Sequence, residues 1–388
     1  MAGARLRRRG RMGCVEVQEV MEFDRTASLA YKRETARQYM SLPYSIKVEL
    51  AEDRIREWQQ ICEENGKNMH ICVGGLDSIT LTYLVRKTLH HTDIPAVSVS
   101  SLEDKSIQEI HKQIGVIAIK PYKSKVQVIN EFGFPVISKE KANKISHLQR
   151  PDNPKQTFIH ALMTGDMGAQ GKFQHSDKIK LPDKWIKLFG GMYADHRPDI
   201  TCQTANFPVS ADCCFWMKEK PAEDWAKKHN SWPFLGLMQS EGGQRELGLV
   251  RNGCNYIGKS TARSCPLNYF TRQDLLQLAL DLNVPVPRIY GKIVRDAGGT
   301  LRTTRAQRTG CSMCGFGIHI EKRPHRFDRL REDHPDEWEF WMYRCATDKE
   351  TGEKYGWGRV LNYIGVEWES PPDALEGQIR FEELEINP

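Results

Sequence analysis

Apolar residues recur along the chain in two rhythms, one helical and one of short continuous runs. From 46 to 63, IKVELAEDRIREWQQICE sets Ile46, Leu50, Ile55, Trp58 and Ile61 at helical spacing. A brief apolar run, His70-Ile71-Cys72-Val73, then meets Gly74-Gly75, and Ser78 opens a good helix, SITLTYLVRKTL. The order is strand, glycine loop, helix. A strand at 96–99, a helix over about 105–114, a strand at 116–119 and a helix over about 124–132 continue the alternation. This alternation predicts an α/β fold, a parallel twisted sheet with crossover helices.

Beyond it the pattern weakens. Residues 138–200, rich in Lys, Gly, Asp and Pro, read as an insertion or a small helical subdomain. Phe234-Leu235-Gly236-Leu237-Met238 reads as a further buried strand, and Thr271 as the N-cap of RQDLLQLALDLN, an amphipathic helix ended by Pro285. Residues 1–40 are polar and irregular and predict a mobile basic tail, with Met12 and Met21 as alternative starts. The expected division is this tail, an α/β domain over 41–270 with its insertion, a Cys- and Arg-rich C-terminal part of the same domain over 271–366, and an acidic tail over 367–388.

Composition narrows the setting. The chain has 388 residues, 27% charged and 39% hydrophobic, the profile of a soluble globular protein. No apolar run approaches the ~20 residues that span a bilayer, so no membrane partner is expected. Arg5, Arg7, Arg8, Arg9 and Arg11 are followed by no apolar segment of the kind a secretory signal carries. The expected compartment is the cytoplasm, where eleven cysteines need a reason other than disulfides. The net charge of +6 is unevenly spread: residues 288–331 carry +8 and residues 332–388 carry −10. A basic block attracts phosphate-bearing ligands, including nucleic acid along 302–331; a solvated face neutralised by the acidic tail is the alternative.

Two constellations carry chemistry. Val73, Gly74, Gly75, Asp77 and Ser78 sit at the carboxyl end of the first strand, where open α/β sheets bind ligands. Two glycines let backbone approach an anion, and the following helix offers free N–H groups. Ser78 can donate to a phosphate; Asp77 can cap the helix or orient a metal such as Mg²⁺. The loop is neither GK[ST] nor GxGxxG, and a tight turn without a ligand is the alternative. The second constellation is Cys213-Cys214, followed about a hundred residues later by Cys311-Ser-Met-Cys314. Four thiolates suit an iron–sulfur cluster or, as runner-up, Zn²⁺; adjacent cysteines diverge and favour the cluster. Buried thiols acting as small hydrophobes are the alternative, and Cys254 is a rival fourth ligand.

The glycine loop resembles the SGGxDS motif of the N-type ATP pyrophosphatase and adenine nucleotide α-hydrolase superfamily, with Val73 in place of the first serine. The pattern CC…CxxC, with CCFWMKEKP at its first half, resembles the phosphoadenosine phosphosulfate (PAPS) reductase family and its adenylylsulfate reductases. RTTRAQRTGCSMCGFGIHIEKRPHRFDRL at 302–330, the segment 171–185 and WGRVLNYIGV at 357–366 resemble PAPS-reductase-like proteins of bacteria and their mobile elements. The resemblance covers about residues 42–366. It implies a Rossmann-like adenine nucleotide α-hydrolase fold with a Cys-rich C-terminal extension, ATP or a sulfonucleotide at the loop, and a [4Fe–4S] cluster with Lys218 beside it. Glu241 and Arg245 match part of the family's acidic segment, so they join the implied nucleotide site with Arg302 and Arg308.

The family's nucleophilic cysteine in ECG[IL]H has no match here; Cys345, in MYRCATD, is a poor one. The resemblance therefore points to ATP pyrophosphatase or adenylylation chemistry linked to sulfur transfer. Two other readings stay open: thiol-dependent sulfonucleotide reduction, and a drifted nucleic-acid-binding iron–sulfur protein contacting its partner through Arg305 or Arg323, Arg326 and Arg329. His319 is a candidate partner to the cluster ligands, and a homo-oligomer is a further expectation.

Overall fold

The computed structural model describes residues 26–370, except 152, 260 and 313. Its first helix, α1 (Leu29–Met40), is capped by the Ser28 hydroxyl, which accepts from the Tyr31 N–H at 3.2 Å. These twelve residues were expected within an irregular tail; a cap and one buried face, Ala36, suffice to make them a helix packed on the later α10. The basic stretch 1–25 and the acidic stretch 371–388 lie outside the described residues.

α2 (Tyr44–Glu64) buries Lys47, Ala51, Ile55, Trp58 and Cys62, so the expected stripe holds at Ile55 and Trp58, while Ile46, Leu50 and Ile61 are only half-buried beside positions one residue later. β1 (Asn68–Cys72) leads through the glycine loop into α3 (Leu76–Leu89), then β2 (Ala96–Ser98), α4 (Lys105–Gln113) and β3 (Ile117–Ala118). α5 (Lys125–Phe132) starts at a Ser124/Gln127 capping box. β4 (Val136–Ile137), α6 (Lys139–Leu148), α7 (Gln156–Thr164) and α8 (Asp183–Phe189) follow. The chain then passes through a π-helical turn, Phe215–Glu219, into α9 (Lys220–Lys228) and β5 (Ser231–Leu235).

β5 begins and ends earlier than the apolar run 234–238 suggests. Pro233 reads as a strand breaker, but β7 meets β5 only at Phe234↔Ser264, so the proline interrupts little of a ladder. α10 (Gly243–Asn252) precedes the hairpin of β6 (Asn255–Ile257) and β7 (Ala262–Ser264). α11 (Arg272–Asp281) opens on Thr271 as expected, with Asp274 completing the box, and the hairpin of β8 (Ile293–Arg295) and β9 (Leu301–Thr303) follows. β10 (Gly315–Phe316), α12 (Arg326–Asp333), α13 (Pro335–Tyr343), β11 (Ala346–Thr347), β12 (Lys354–Tyr355) and α14 (Trp357–Ile364) end the described chain.

The main sheet has the order β3-β2-β1-β5-β7-β6. All neighbours are parallel except the edge pair β6/β7, which a hairpin makes antiparallel. From β1 the chain moves outward to β2 and β3, then returns on the other side with β5. The strand order therefore reverses between β1 and β5, the switch point at which such sheets bind ligands.

Two hydrophobic clusters organise the interior. One joins the sheet to α2, α3 and α11 through Ile55, Trp58, Ile71, Phe234 and Leu275. The other gathers residues of the region read as an insertion (Ile145, Leu162, Trp185, Phe189) with Phe134 and the C-terminal Trp357, Leu361 and Trp368. Trp368, placed by sequence in the acidic tail, is buried there.

Candidate functional site

At the switch point, each N–H of the glycine loop can be traced. Val73 N–H donates to the Val97 carbonyl (2.9 Å), extending the β1–β2 ladder, and its side chain is buried. The valine thus belongs to the sheet core, and the N–H expected to face a ligand does not. Gly74 N–H donates to Ser78 Oγ (2.7 Å), which itself donates to the Gly75 carbonyl (3.0 Å). Leu76 N–H, first of α3, donates to Tyr290 Oη (3.1 Å), and Tyr290 shares a hydrogen bond with Thr309 Oγ1 (2.7 Å). Among the described residues no acceptor serves the N–H groups of Gly75, Asp77 and Ser78. A Cβ on Gly75 would overlap the Tyr290 hydroxyl and lie 3.1 Å from Thr309 Oγ1. Only glycine fits.

The acidic residues meet on the other flank. Asp77 Oδ1 accepts from Arg272 Nη1 (2.6 Å), while Arg272 Nη2 reaches the Gln307 carbonyl (3.0 Å). Burial raises the Asp77 pKa, with Glu241 adding and Arg272 and Arg308 opposing. Glu241 is nearly covered, ion-paired with Arg245 and accepting from Met238 N–H (3.2 Å). Gly236, just past β5, would set a Cβ 3.0 Å from Ser78 Cα, so the chain leaving β5 packs closely on the start of α3. A cation such as Mg²⁺ at Asp77 would have to compete with Arg272, a partner the sequence reading missed because it lies 195 residues away.

The cysteine pairs are brought together by one short segment. Phe134 bridges Val209, four residues before Cys213, and β4 pairs in parallel with β10, which follows Cys314 directly. Gly315 N–H donates to the Pro135 carbonyl at 3.1 Å. Cys213 and Cys214 open the helix that becomes the π turn, their sulfurs 3.9 Å apart. Cys213 feels the charges of Cys214, Cys314 and Cys311, and Cys314 that of Cys214, so the four thiols share one neighbourhood. The Cys213 thiol, donating to Cys214, is pushed up; Cys214 is pushed down by that bond and by Lys139 and Lys218. Burial pushes Cys311 up to about 11. Among the described residues no three His, Cys, Asp or Glu side chains form a closed ligand set. The donor chemistry of the four free thiols, flanked by cations, nonetheless suits a thiolate-ligated cluster.

Lys218 links the two constellations. Its ammonium donates to Glu103 Oε1 (2.6 Å) and feels Cys311 and Cys214. Burial would lower its pKa, but Glu103, Cys311 and Cys214 together raise it. Glu103 is buried beside the loop, its Oε1 3.6 Å from where a Gly74 Cβ would sit. Lys125, bonded to Ser312 between the two cysteines of the turn, is a second cation here. Neither Glu103 nor Lys125 belongs to a motif; only their position after β2 and at the start of α5 pointed to the sheet's carboxyl edge.

Other candidates fall elsewhere. Arg308 is exposed and near enough to Asp77 to lower its pKa, whereas Arg302 lies on β9 opposite Val294. Cys254 is buried against Asn268, with Arg54 and Tyr269 near it, away from the four thiols. The Cys345 thiol is buried and donates to the Trp341 carbonyl (3.2 Å). His319 stacks edge-on against Trp185, and its buried Nδ1 has no partner among the described residues. Arginines of the basic block are tied internally: Arg305 to Asp333, Arg323 to Asp328, Arg326 and Arg329 both to Glu321. Arg326 also donates to the Cys314 carbonyl at 3.1 Å, so it buttresses the turn.

No family model matches the chain, and no curated protein matches it. Among solved structures, it is similar to the crystal structure of phosphoadenylyl-sulfate (PAPS) reductase from Candida auris in a phosphate complex. That match covers 71% of this chain and 98% of the other at 11% identity, with a TM-score of 0.31. No helix among the described residues is long and apolar enough to cross a membrane.

Proposed function

We propose that this chain binds the phosphates of an adenine nucleotide, ATP or a related sulfonucleotide, at Gly74–Ser78 and holds an iron–sulfur cluster on Cys213, Cys214, Cys311 and Cys314. In this reading it is a PAPS-reductase-like enzyme that adenylylates an acceptor, from which a sulfur nucleophile then displaces AMP. One observation carries it most: the Lys218–Glu103 pair stands between the glycine loop and the four thiols, so groups bound at both sites would share one cation.

The chemistry assigned to the loop is attack by an acceptor on the α-phosphorus of ATP. A bond forms from the acceptor to phosphorus, the bond from phosphorus to the β-bridging oxygen breaks, and pyrophosphate leaves with that electron pair. The N–H groups at the start of α3 without an acceptor among the described residues would hold the phosphate oxygens. Arg308 would meet the charge developing on pyrophosphate, since it already lies within reach of Asp77. Lys218 and Lys125 would offset the negative charge of four thiolates. A [4Fe–4S] cluster, when bound, supplies redox-active iron that can also bind sulfur. Nucleic acid or a small molecule is the proposed acceptor, and Mg²⁺ a proposed companion of the nucleotide.

Cys345 is sealed in the second core and is not placed to act as the nucleophile of sulfonucleotide reduction, so that second reading rests on an external thiol alone. Iron, zinc and sulfide are to be measured on anaerobically purified protein, native and Cys311→Ser, with pyrophosphate release followed on adding ATP and Mg²⁺. Stoichiometric iron and sulfide lost in the variant, with pyrophosphate release by the native protein, is the expected result. Absence of both iron and pyrophosphate release removes the proposal, and zinc in their place replaces the cluster.

A further inference from the structure

The loop's remaining donors are held in place by a histidine that no motif includes. His111, on α4 and 2% exposed, places Nε2 2.8 Å from the Gly74 carbonyl and Nδ1 2.8 Å from Ser100 Oγ. The carbonyl can only accept, so Nε2 carries the proton. In the neutral ring Nδ1 then accepts from the Ser100 hydroxyl, which fixes the tautomer. Burial lowers the His111 pKa, in keeping with that neutral form.

A trans peptide is planar, with C=O and N–H pointing in opposite directions. Pinning the Gly74 carbonyl therefore aims the N–H of Gly75 away from α4. The three surrounding N–H groups, of Val73, Gly74 and Leu76, are spent on Val97, Ser78 and Tyr290. Gly75 has no side chain to support its own orientation, and two successive glycines leave the peptide between them free to flip. We infer that His111, set by Ser100, is a positioning residue that locks the Gly74–Gly75 peptide with its N–H presented as the loop's anion donor. The anion is a phosphate or pyrophosphate group, so this deepens the nucleotide reading and rests on it.

The clamp can be observed directly. The sequence holds four Gly-Gly peptides, at 74–75, 190–191, 242–243 and 298–299, so labelling glycine with carbonyl ¹³C and amide ¹⁵N selects only these. His111→Leu removes the donor, while His111→Gln retains an N–H of similar reach. The Gly74 carbonyl and Gly75 amide resonances should move in the leucine variant and stay near native in the glutamine variant. Calorimetric affinity for inorganic pyrophosphate should fall about ten-fold or more in His111→Leu and within about three-fold in His111→Gln, the loss of one well-aimed hydrogen bond to a charge. Unmoved resonances in a folded His111→Leu protein overturn the clamp, as does native affinity in that variant. Should native protein bind no pyrophosphate, the nucleotide reading and the anion role fail together, while the resonances still decide what orients the peptide.

Discussion

At the scale of single residues, buried titratable groups set the pH response. His70 is buried between Ser231 and Trp225, and burial, with a contribution from His229, lowers its pKa to about 4. The unfolded chain, titrating near the ordinary ~6.5, binds more protons between those values, so stability falls as pH drops from about 6.5 to about 4. The expected slope approaches ~1.4 kcal/mol per pH unit. Urea denaturation across that range should show it in the native protein and a shallower slope in His70→Gln. Asp328 behaves differently. Burial would raise its pKa, but hydrogen bonds from His325 and Arg323 outweigh it and hold the carboxylate well below the usual range. Its contribution is present above pH ~4 and lost as pH falls towards the depressed value. Asp328→Asn should cost about 2 kcal/mol at neutral pH, read from denaturant midpoints, and remove part of the loss below pH ~4. Lys218→Met leaves Glu103 buried and unpaired, and should cost about 3 kcal/mol, with Glu103→Gln in the same protein recovering part of it.

Among the elements, two glycines mark where strands and helices approach closely. Gly315 on β10 leaves no room for a Cβ, which would overlap the Trp357 ring and lie 3.1 Å from the Pro135 carbonyl. Gly315→Ala should therefore loosen the β4–β10 pairing that joins the two cysteine pairs, at about 1–3 kcal/mol. Iron retained per chain is expected to drop even at temperatures where circular dichroism shows the sheet intact. The elements themselves were largely readable. Amphipathic spacing located α2, the alternation of strands and helices located α3, α4 and α5, and a capping residue located α11, because helix signals are local. The β5 boundary was misplaced because the apolar run 234–238 was the only local signal, whereas pairing with β1 sets the strand at Ser231–Leu235.

Over the whole molecule, two hydrophobic clusters divide the labour. The sheet cluster carries Val73 and Leu76 of the glycine loop, and the second carries Cys213, Cys214 and Cys311. Trp357, fully buried, joins Phe134 and Phe327 at the centre of the second. Trp357→Ala should cost about 3–5 kcal/mol. Hydrogen exchange should then rise in α5–α8 and α12–α14 first, while β1, β2 and β5 keep their protection. Uniform acceleration throughout would mean that the two clusters unfold as one.

The basic block shows how sequence and structure divide the information. Charge counts alone made 302–331 an attractive surface for phosphates, but Glu321, Asp328 and Asp333 hold four of its arginines. A count along the chain cannot say which charges face each other. Sequence by itself determined the strand–loop–helix order, the glycine pair and the two cysteine pairs, because periodicity and spacing are encoded within a few residues. Tertiary structure alone decided that Val73 N–H closes a ladder, that Arg272 meets Asp77, and that Lys218 reaches Glu103 beside four thiols. Those contacts span from 24 to 195 residues along the chain. Their partners are selected by the packing of the two clusters, which no local pattern records.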